Sequence, residues 1–317
     1  MAVARMNERP PTIDPVAALR WQQRLIQPSP WLHEEVARRM EERLGWIKLQ
    51  PGRWADWAPV RGGLGGHALV SKRYPNAECF VMEPFDSQLA AASAGIGKPW
   101  WRPARWSGGP TRFANPPDES VQMLWANMAL HMASDPQTLI AQWHKALSVD
   151  GFLMFSCLGP DTLRELREVY LRNGWPAPSH EFTDMHDWGD MLVAAGFAEP
   201  VLDMERIVLS FETPARLLLE LRGLGRNLHP ARFAQWRGRQ WHQRLKDELQ
   251  LHLSSGSPKP FSQGNCAPLQ LTFEVIYGHA LKPARRLAVR PETTLSLNEM
   301  RRQLNRPTGG KSPSSQR

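Results

Sequence analysis

Alternating strand and helix patterns over Ser120–Tyr170 restrict the fold of this chain more than any other feature. An apolar run at Met123–Trp125 precedes a helix pattern that opens at Asp135-Pro136. A second apolar run at Phe152–Cys157 precedes another helix pattern, whose apolar residues recur at helical spacing. This order indicates parallel strands joined by right-handed helical crossovers. We therefore predict an α/β fold built on a largely parallel sheet.

Polar residues follow both of these predicted strands. Ligands of such sheets bind at the carboxyl ends of the strands, which is where Asn127 and the Cys157–Asp161 loop are placed. We interpret Asp161 as the N-cap of the next helix. His131 lies in the loop after the first strand, where it is either a contact to substrate or a histidine without a chemical role.

A glycine-rich turn at Arg61–His67 lies between a predicted first strand at Trp54–Val60 and a predicted helix. Glycines in such a turn let the backbone approach a ligand closely, and a carboxylate about 20 residues further on can bind ribose hydroxyls. Glu83 ends the next predicted strand at that spacing. A nucleotide site and a plain loop are both compatible with this pattern. The glycines concerned are Gly62, Gly63, Gly65 and Gly66.

Composition narrows the class of protein. The 317 residues carry a formal net charge of +8, which suits an acidic partner or an anionic cofactor, although a solvated basic surface is the plain alternative. The three cysteines are too few and too widely spaced for a disulfide framework or a metal cluster. No signal peptide or membrane-spanning run is evident, so we expect a cytoplasmic protein.

Two polar clusters have competing interpretations. An arginine-rich helical region, predicted over about Pro230–Leu251 and beginning earlier near Arg216, is either a docking surface for an acidic carrier protein or a solvated face. A histidine- and aspartate-rich segment over His180–Asp190 resembles a metal site only in composition, because its acids fall at helix-capping or exposed positions. We therefore predict no metal.

Four runs of sequence resemble the BioC methyltransferases of biotin synthesis: WANMALHMASDP, GFLMFSCLGPDTLRELR, FTDMHDWGDMLVAAGF and FEVIYGHALKP. The resemblance covers Leu32–Pro283. It implies the cofactor S-adenosylmethionine (SAM) and O-methylation of the malonyl carboxylate on acyl-carrier protein. It also implies a class I SAM-dependent methyltransferase fold, Rossmann-like, with a seven-stranded sheet whose last strand is antiparallel. We expect no membrane or nucleic-acid partner, and the oligomeric state is left open.

The resemblance also implies a domain organisation. We expect an N-terminal arm, a methyltransferase core, a helical insert that covers the substrate side as a lid, a last core strand and a disordered basic tail. The respective bounds are 1–30, 31–211, 212–268, 269–283 and 284–317.

The resemblance places cofactor contacts on specific residues. The family pattern of an aspartate followed by three spaced glycines matches here only at Asp56 and Gly62, since Ala58 and Val60 occupy the other two glycine positions. The loop is about two residues longer than the pattern, so neighbouring glycines are expected to restore the close approach. Glu83 matches the ribose-binding acid and Asn127 the residue after strand four. The implied cofactor residues are Asp56, Gly62, Gly63, Gly65, Glu83 and Asn127.

Substrate contacts are expected at His131 and at an insert arginine, Arg222 or Arg226, which can hold a carboxylate. No catalytic base is predicted, because a carboxylate is already ionised at neutral pH. The altered glycine loop motivates a second hypothesis, in which the protein keeps the fold but has lost turnover and acts as a binding, regulatory or assembly factor.

Overall fold

The computed structural model describes residues 13–25, 28–96, 109–233, 237–254 and 268–284. All of them belong to one compact unit, Met1–Ala284. The basic tail beyond residue 284 lies outside the described residues. So do residues 97–108, a stretch rich in Gly, Pro and Trp that contains Trp100, Trp101 and Trp106.

The sheet has seven strands in the order β3-β2-β1-β4-β5-β7-β6. β7 is antiparallel to both of its neighbours, whereas the pairings among β1 to β5 are parallel. This confirms the predicted α/β sheet with its last strand antiparallel. The strands are β1 (Arg53–Trp57), β2 (Glu78–Met82), β3 (Thr111–Arg112), β4 (Val121–Ala126), β5 (Leu147–Leu158), β6 (Ala198–Phe211) and β7 (Leu269–Leu281).

Ten α-helices connect and cover these strands in the described part of the chain. They are α1 (Pro15–Gln22), α2 (Trp31–Arg43), α3 (Pro59–Gly62), α4 (Leu64–Arg73), α5 (Asp86–Ile96), α6 (Pro136–Ala146), α7 (Arg164–Arg172), α8 (Met185–Ala194), α9 (Pro214–Leu224) and α10 (Arg239–Leu253). Two 3-10 turns add Leu44–Trp46 and Leu130–Met132.

Helices cover both faces of the sheet. One core packs residues of α2, α4, α7 and α10 against the strands, and includes Trp54 and Trp125. A second core on the other face includes Trp143 of α6 and Trp188 of α8. Each face therefore buries large apolar side chains, which is why most residues of the central strands are apolar and buried.

Of the N-caps predicted at Asp135 and Asp161, the structure confirms only the first. Asp135 caps α6 by accepting a hydrogen bond from the backbone N–H of Thr138 at 3.0 Å, as predicted. The prediction for Asp161 is wrong: Leu163 precedes α7 without a side-chain cap. The Asp161 carboxylate instead lies 2.7 Å from Nη2 of Arg206. A charged partner on β6 outcompetes the local cap.

Some element boundaries differ from the predictions for identifiable reasons. Asp150-Gly151 is a turn signal in the sequence, but β5 continues through it. Asp150 has a φ of 61°, and the pairing of β5 with β4 is irregular in this region. The basic helix begins only at Arg239, since Pro230–Phe233 is not helical. The Gly-, Pro- and Trp-rich composition of residues 94–119 predicts irregular structure, but this range contains the end of α5 and the short strand β3.

Within the described residues, no helix is both long enough and apolar enough to cross a membrane.

Gly278 of the antiparallel strand β7 packs closely against β5. A Cβ built at Gly278 would overlap the ring of Phe155 on β5. We expect Gly278→Ala to lower the free energy of unfolding by about 1–3 kcal/mol, as overpacked cores do. Urea unfolding measures this change in the free energy of unfolding.

A suitable control is Gly223→Ala in α9, because a Cβ there meets nothing within 4 Å. Alanine also has the higher helix propensity, so this variant should keep or raise stability. Equal effects of the two variants would contradict the packing described for β7.

Candidate functional site

A cavity of about 230 Å³ opens at the carboxyl ends of β1, β2 and β4. Its wall combines residues that follow each of these strands with residues of α1 and α5. This is the position at which ligands bind in open α/β sheets. The residues that line the cavity include Gln22, Ala58, Arg61, Glu83, Gln88 and Met128.

Glu83 places a carboxylate on the cavity wall, directly after β2. One of its oxygens accepts a hydrogen bond from the backbone N–H of Val60 at 2.8 Å. Burial raises the pKa of Glu83 to about 7, although the bond from Val60 opposes the shift. The site thus holds a carboxylate that changes charge near neutral pH and is poised to accept hydrogen bonds.

The chain after β1 does not form an extended glycine loop. β1 ends at Trp57, so the predicted strand to Val60 is too long. Ala58 turns the chain with a φ of 53°, and its N–H donates to the carbonyl of Met82 at 2.7 Å. The next four residues form α3, a single helical turn. The extra length of this segment is therefore taken up as a helical turn that borders the cavity.

The glycines predicted to face a cofactor pack against protein atoms instead. A Cβ on Gly62 would come 2.9 Å from the carbonyl oxygen of Asn127. A Cβ on Gly63 or Gly65 would come 2.9 or 2.5 Å from Oε2 of Glu34 on α2. None of these glycines lines the cavity at Glu83. Their small size is used for close packing of α2 and β4 against α3 and α4.

Asn127 forms a buried hydrogen-bonded centre. Its side-chain Nδ2 donates to the carbonyl of His33 at 2.8 Å and also to that of Gly62. Its Oδ1 accepts from the Ser156 hydroxyl at 2.6 Å. Both amide hydrogens are thus engaged by backbone carbonyls. Asn127 joins α2, α3, β4 and β5 at the edge of the site.

Asp56, near the end of β1, is buried and faces α4. Its Oδ2 lies 2.7 Å from Nδ1 of His67. Burial raises the pKa of Asp56, and the hydrogen bond with His67 opposes that shift. Asp56 does not line the cavity at Glu83. The structure therefore places it in a contact between β1 and α4.

The predicted substrate residues are not brought together. His131 is buried and lines a neighbouring cavity of about 640 Å³, and burial holds its pKa well below its usual range. Arg226 stacks over Trp21 of α1, 5.0 Å from the ring centroid, and donates to the carbonyls of Gly225 and Arg222. Neither Arg222 nor Arg226 lines either cavity among the described residues.

The prediction missed three wall residues: Arg61, Gln88 and Gln22. Gln88 donates to the carbonyl of Gln22 at 2.5 Å, which ties α5 to α1. Arg61 donates to the carbonyls of Trp21 and Arg24 at 2.9 and 3.1 Å. The signal for the part of the wall that α1 forms is Asp14-Pro15, an N-cap followed by a proline at the first helical position.

In the described part of the chain, no group of three or more histidine, cysteine, aspartate or glutamate residues could hold a metal ion. Asp184 caps α8 by accepting from the N–H of His186 at 2.8 Å. The histidine- and aspartate-rich segment thus has a capping role there.

Comparison with solved structures supports the fold. The chain superposes on the crystal structure of a proposed methyltransferase from Bacillus halodurans C-125 with a TM-score of 0.50 and 16% sequence identity. The match covers 79% of this chain and 100% of that one. The fold is that of class I SAM-dependent methyltransferases, with helices on both faces of a seven-stranded sheet.

No family model matches the chain. Curated relatives do. A malonyl-[acyl-carrier protein] O-methyltransferase of Gallionella capsiferriformans is 37% identical over 267 residues, covering 81% of this chain and 86% of the relative. The protein of the same name from Laribacter hongkongensis is 35% identical over 270 residues, covering 80% and 84%. Since both matches run along most of each chain, this protein belongs to the malonyl-[acyl-carrier protein] O-methyltransferase family, the BioC family of its sequence resemblance.

Proposed function

We propose that this protein is a SAM-dependent methyltransferase that methylates the malonyl carboxylate carried by acyl-carrier protein, in biotin synthesis. The names of its relatives support this activity. They give no support to the hypothesis of lost turnover. The structural observation that carries the proposal is Glu83, a carboxylate on a cavity at the ends of β1, β2 and β4. A cytoplasmic location accords with this activity.

The cavity wall fits the nucleoside end of SAM. Glu83 offers acceptor oxygens for ribose hydroxyls, while Gln88 Oε1 and Arg61 Nη1 are buried there without a hydrogen-bond partner among the described residues. Its volume of about 230 Å³ lies just under the roughly 300–1,000 Å³ typical of small-molecule sites. Because Gln22 of α1 forms part of the wall, movement of the arm would enlarge the site.

When bound, SAM supplies an electrophilic methyl group on a sulfonium. The chain itself has to hold the cofactor, align the carboxylate with it and exclude water. Glu83 would accept hydrogen bonds from the ribose. Asn127 would act as a positioning residue, because its amide fixes α3 against β4. No general base is needed, since the acceptor carboxylate is ionised at neutral pH.

The carrier protein would dock on the insert between β6 and β7, whose described helices are α9 and α10. Both carry exposed arginines, and an acidic carrier would be steered to such a surface. The roles proposed for Arg222, Arg226 and His131 in holding the acceptor stay predictions, as does the lid function of residues 212–268.

Methyl transfer tests the proposed function directly. We expect the full chain to transfer a methyl group from SAM to malonyl-acyl-carrier protein, and not to the acetyl form, which lacks the free carboxylate. Mass spectrometry of the carrier protein reads this out as one added methyl group. Failure of the wild-type chain to bind S-adenosylhomocysteine by calorimetry at millimolar ligand would sink the proposal.

Glu83→Ala should weaken S-adenosylhomocysteine binding by about 1–3 kcal/mol at pH 8, because the ribose hydroxyls lose their acceptor. Hydroxyl groups donate to the ionised carboxylate, so wild-type affinity should fall as the pH drops through the Glu83 pKa of about 7. Glu83→Gln should flatten this pH dependence. Calorimetric titration between pH 6 and about 8 measures both effects.

The matched control is Glu78→Ala, at the opposite end of β2, where the carboxylate pairs with Arg53 at 3.0 Å. This variant should bind the ligand like the wild type. If Glu78→Ala and Glu83→Ala had the same effect, Glu83 would not contact the ligand.

The positioning role of Asn127 predicts coupling with Ser156. Asn127→Ala should cost about 2–4 kcal/mol of unfolding free energy, because it removes several buried hydrogen bonds. Ser156→Ala should cost less, and the double variant should cost less than the sum of the two single changes. Urea unfolding of the three variants gives the coupling. Additive effects would show that the two side chains act independently.

A further inference from the structure

The backbone N–H groups that begin α4 already have an anionic partner. The Glu34 carboxylate accepts from the N–H of Gly65 at 3.3 Å and from that of Gly66 at 3.2 Å. A glycine-rich turn that opens a helix normally offers such groups to the anionic part of a ligand. Here a side chain of α2 occupies them. An anionic ligand group therefore has to be held by another part of the site.

Among the residues that the structure describes, Arg61 is the cation on the cavity wall at Glu83. Its Nη2 donates to the carbonyls of Trp21, Gln22 and Arg24, at 2.9, 3.4 and 3.1 Å. Its Nη1 is buried and makes no hydrogen bond with any described residue.

In the described part of the chain, no carboxylate lies within ion-pair distance of Arg61. The hydrogen bonds of its guanidinium all go to neutral backbone carbonyls. Burial lowers the pKa of Arg61 to about 10, so the guanidinium remains charged at neutral pH. The charge of Glu83 on the same wall opposes this lowering, but Glu83 does not form a direct ion pair with Arg61. A buried cation without a direct ion pair is costly, and the cost is relieved when a ligand brings a further negative charge.

A ligand in this cavity can supply that charge. The amino-acid end of SAM carries a carboxylate, and so does the malonyl group. Both are planar anions that a guanidinium binds well. Arg61 shares the cavity wall with Glu83, its buried Nη1 has no hydrogen-bond partner among the described residues, and Glu34 occupies the turn at Gly65 and Gly66. From these observations we infer that Arg61 binds a ligand carboxylate. This inference rests on the proposed function and adds a binding residue to it.

Arg61→Met tests the inference, because methionine keeps much of the length and apolar stem but not the charge. The two probes are S-adenosylhomocysteine and 5′-methylthioadenosine, which share the nucleoside thioether but differ in the amino-acid end. If the cofactor carboxylate binds Arg61, the variant should lose about 10- to 100-fold in affinity for S-adenosylhomocysteine, while affinity for 5′-methylthioadenosine changes by less than about 3-fold. Calorimetry of the full chain measures both.

A second measurement tests the malonyl group as the source of the carboxylate. If the malonyl carboxylate is the partner, Arg61→Met should leave the ratio of the two nucleoside affinities unchanged and raise KM for malonyl-acyl-carrier protein by a similar factor. Arg61→Lys, which keeps the charge, should recover part of whichever loss is seen.

Arg20→Met is the control for the N-terminal arm. Arg20 is an exposed residue in the last turn of α1 and does not line the cavity. This variant should leave the affinity ratio of the two probes unchanged. The inference is overturned if Arg61→Met weakens both probes equally, or alters neither the ratio nor KM. Absence of binding by the wild type would overturn the proposed function itself.

Discussion

The buried amide of Asn127 is the contact on which the arrangement of the site depends. It binds the backbone of α2 and of α3, and it accepts from Ser156 of β5. Four elements therefore meet at one side chain. The requirement for glycine at position 62 follows from the same contact, because a Cβ there would press on the Asn127 carbonyl. The helical turn after β1 thus has its position set by β4, and the cavity takes its shape from that turn.

Much of the fold could be predicted from the sequence, because its signals are local. The apolar runs and capping residues that place β4, β5 and α6 lie within a few residues of each other. Glu83 was also predictable, since a carboxylate that directly follows a strand must lie at the sheet edge. The same logic located Asn127, although its partners show that it holds the backbone together. Its role as a cofactor contact stays a prediction.

The glycine-rich segment could not be interpreted in this way. Gly63 and Gly65 were predicted to approach a cofactor, but the group that they approach is Glu34, about 30 residues earlier in the chain. No residue near Gly63 and Gly65 in the sequence indicates their contact with Glu34. Arg61 was missed for a related reason: it stands in a segment where the family pattern gives no arginine, and its carbonyl partners belong to the arm. A glycine pattern is thus compatible with close packing as well as with ligand binding.

The place of β7 between β5 and β6 has a consequence for how the chain is made. β6 pairs only with β7 in the described sheet, and β7 is the last strand in sequence. While the ribosome is still synthesising the insert, β5 is an open apolar edge and β6 has no partner. Such an edge invites pairing with other chains. Completion of the sheet therefore waits for the final strand, and a chain cut short before Leu269 would expose the two strands that it normally joins.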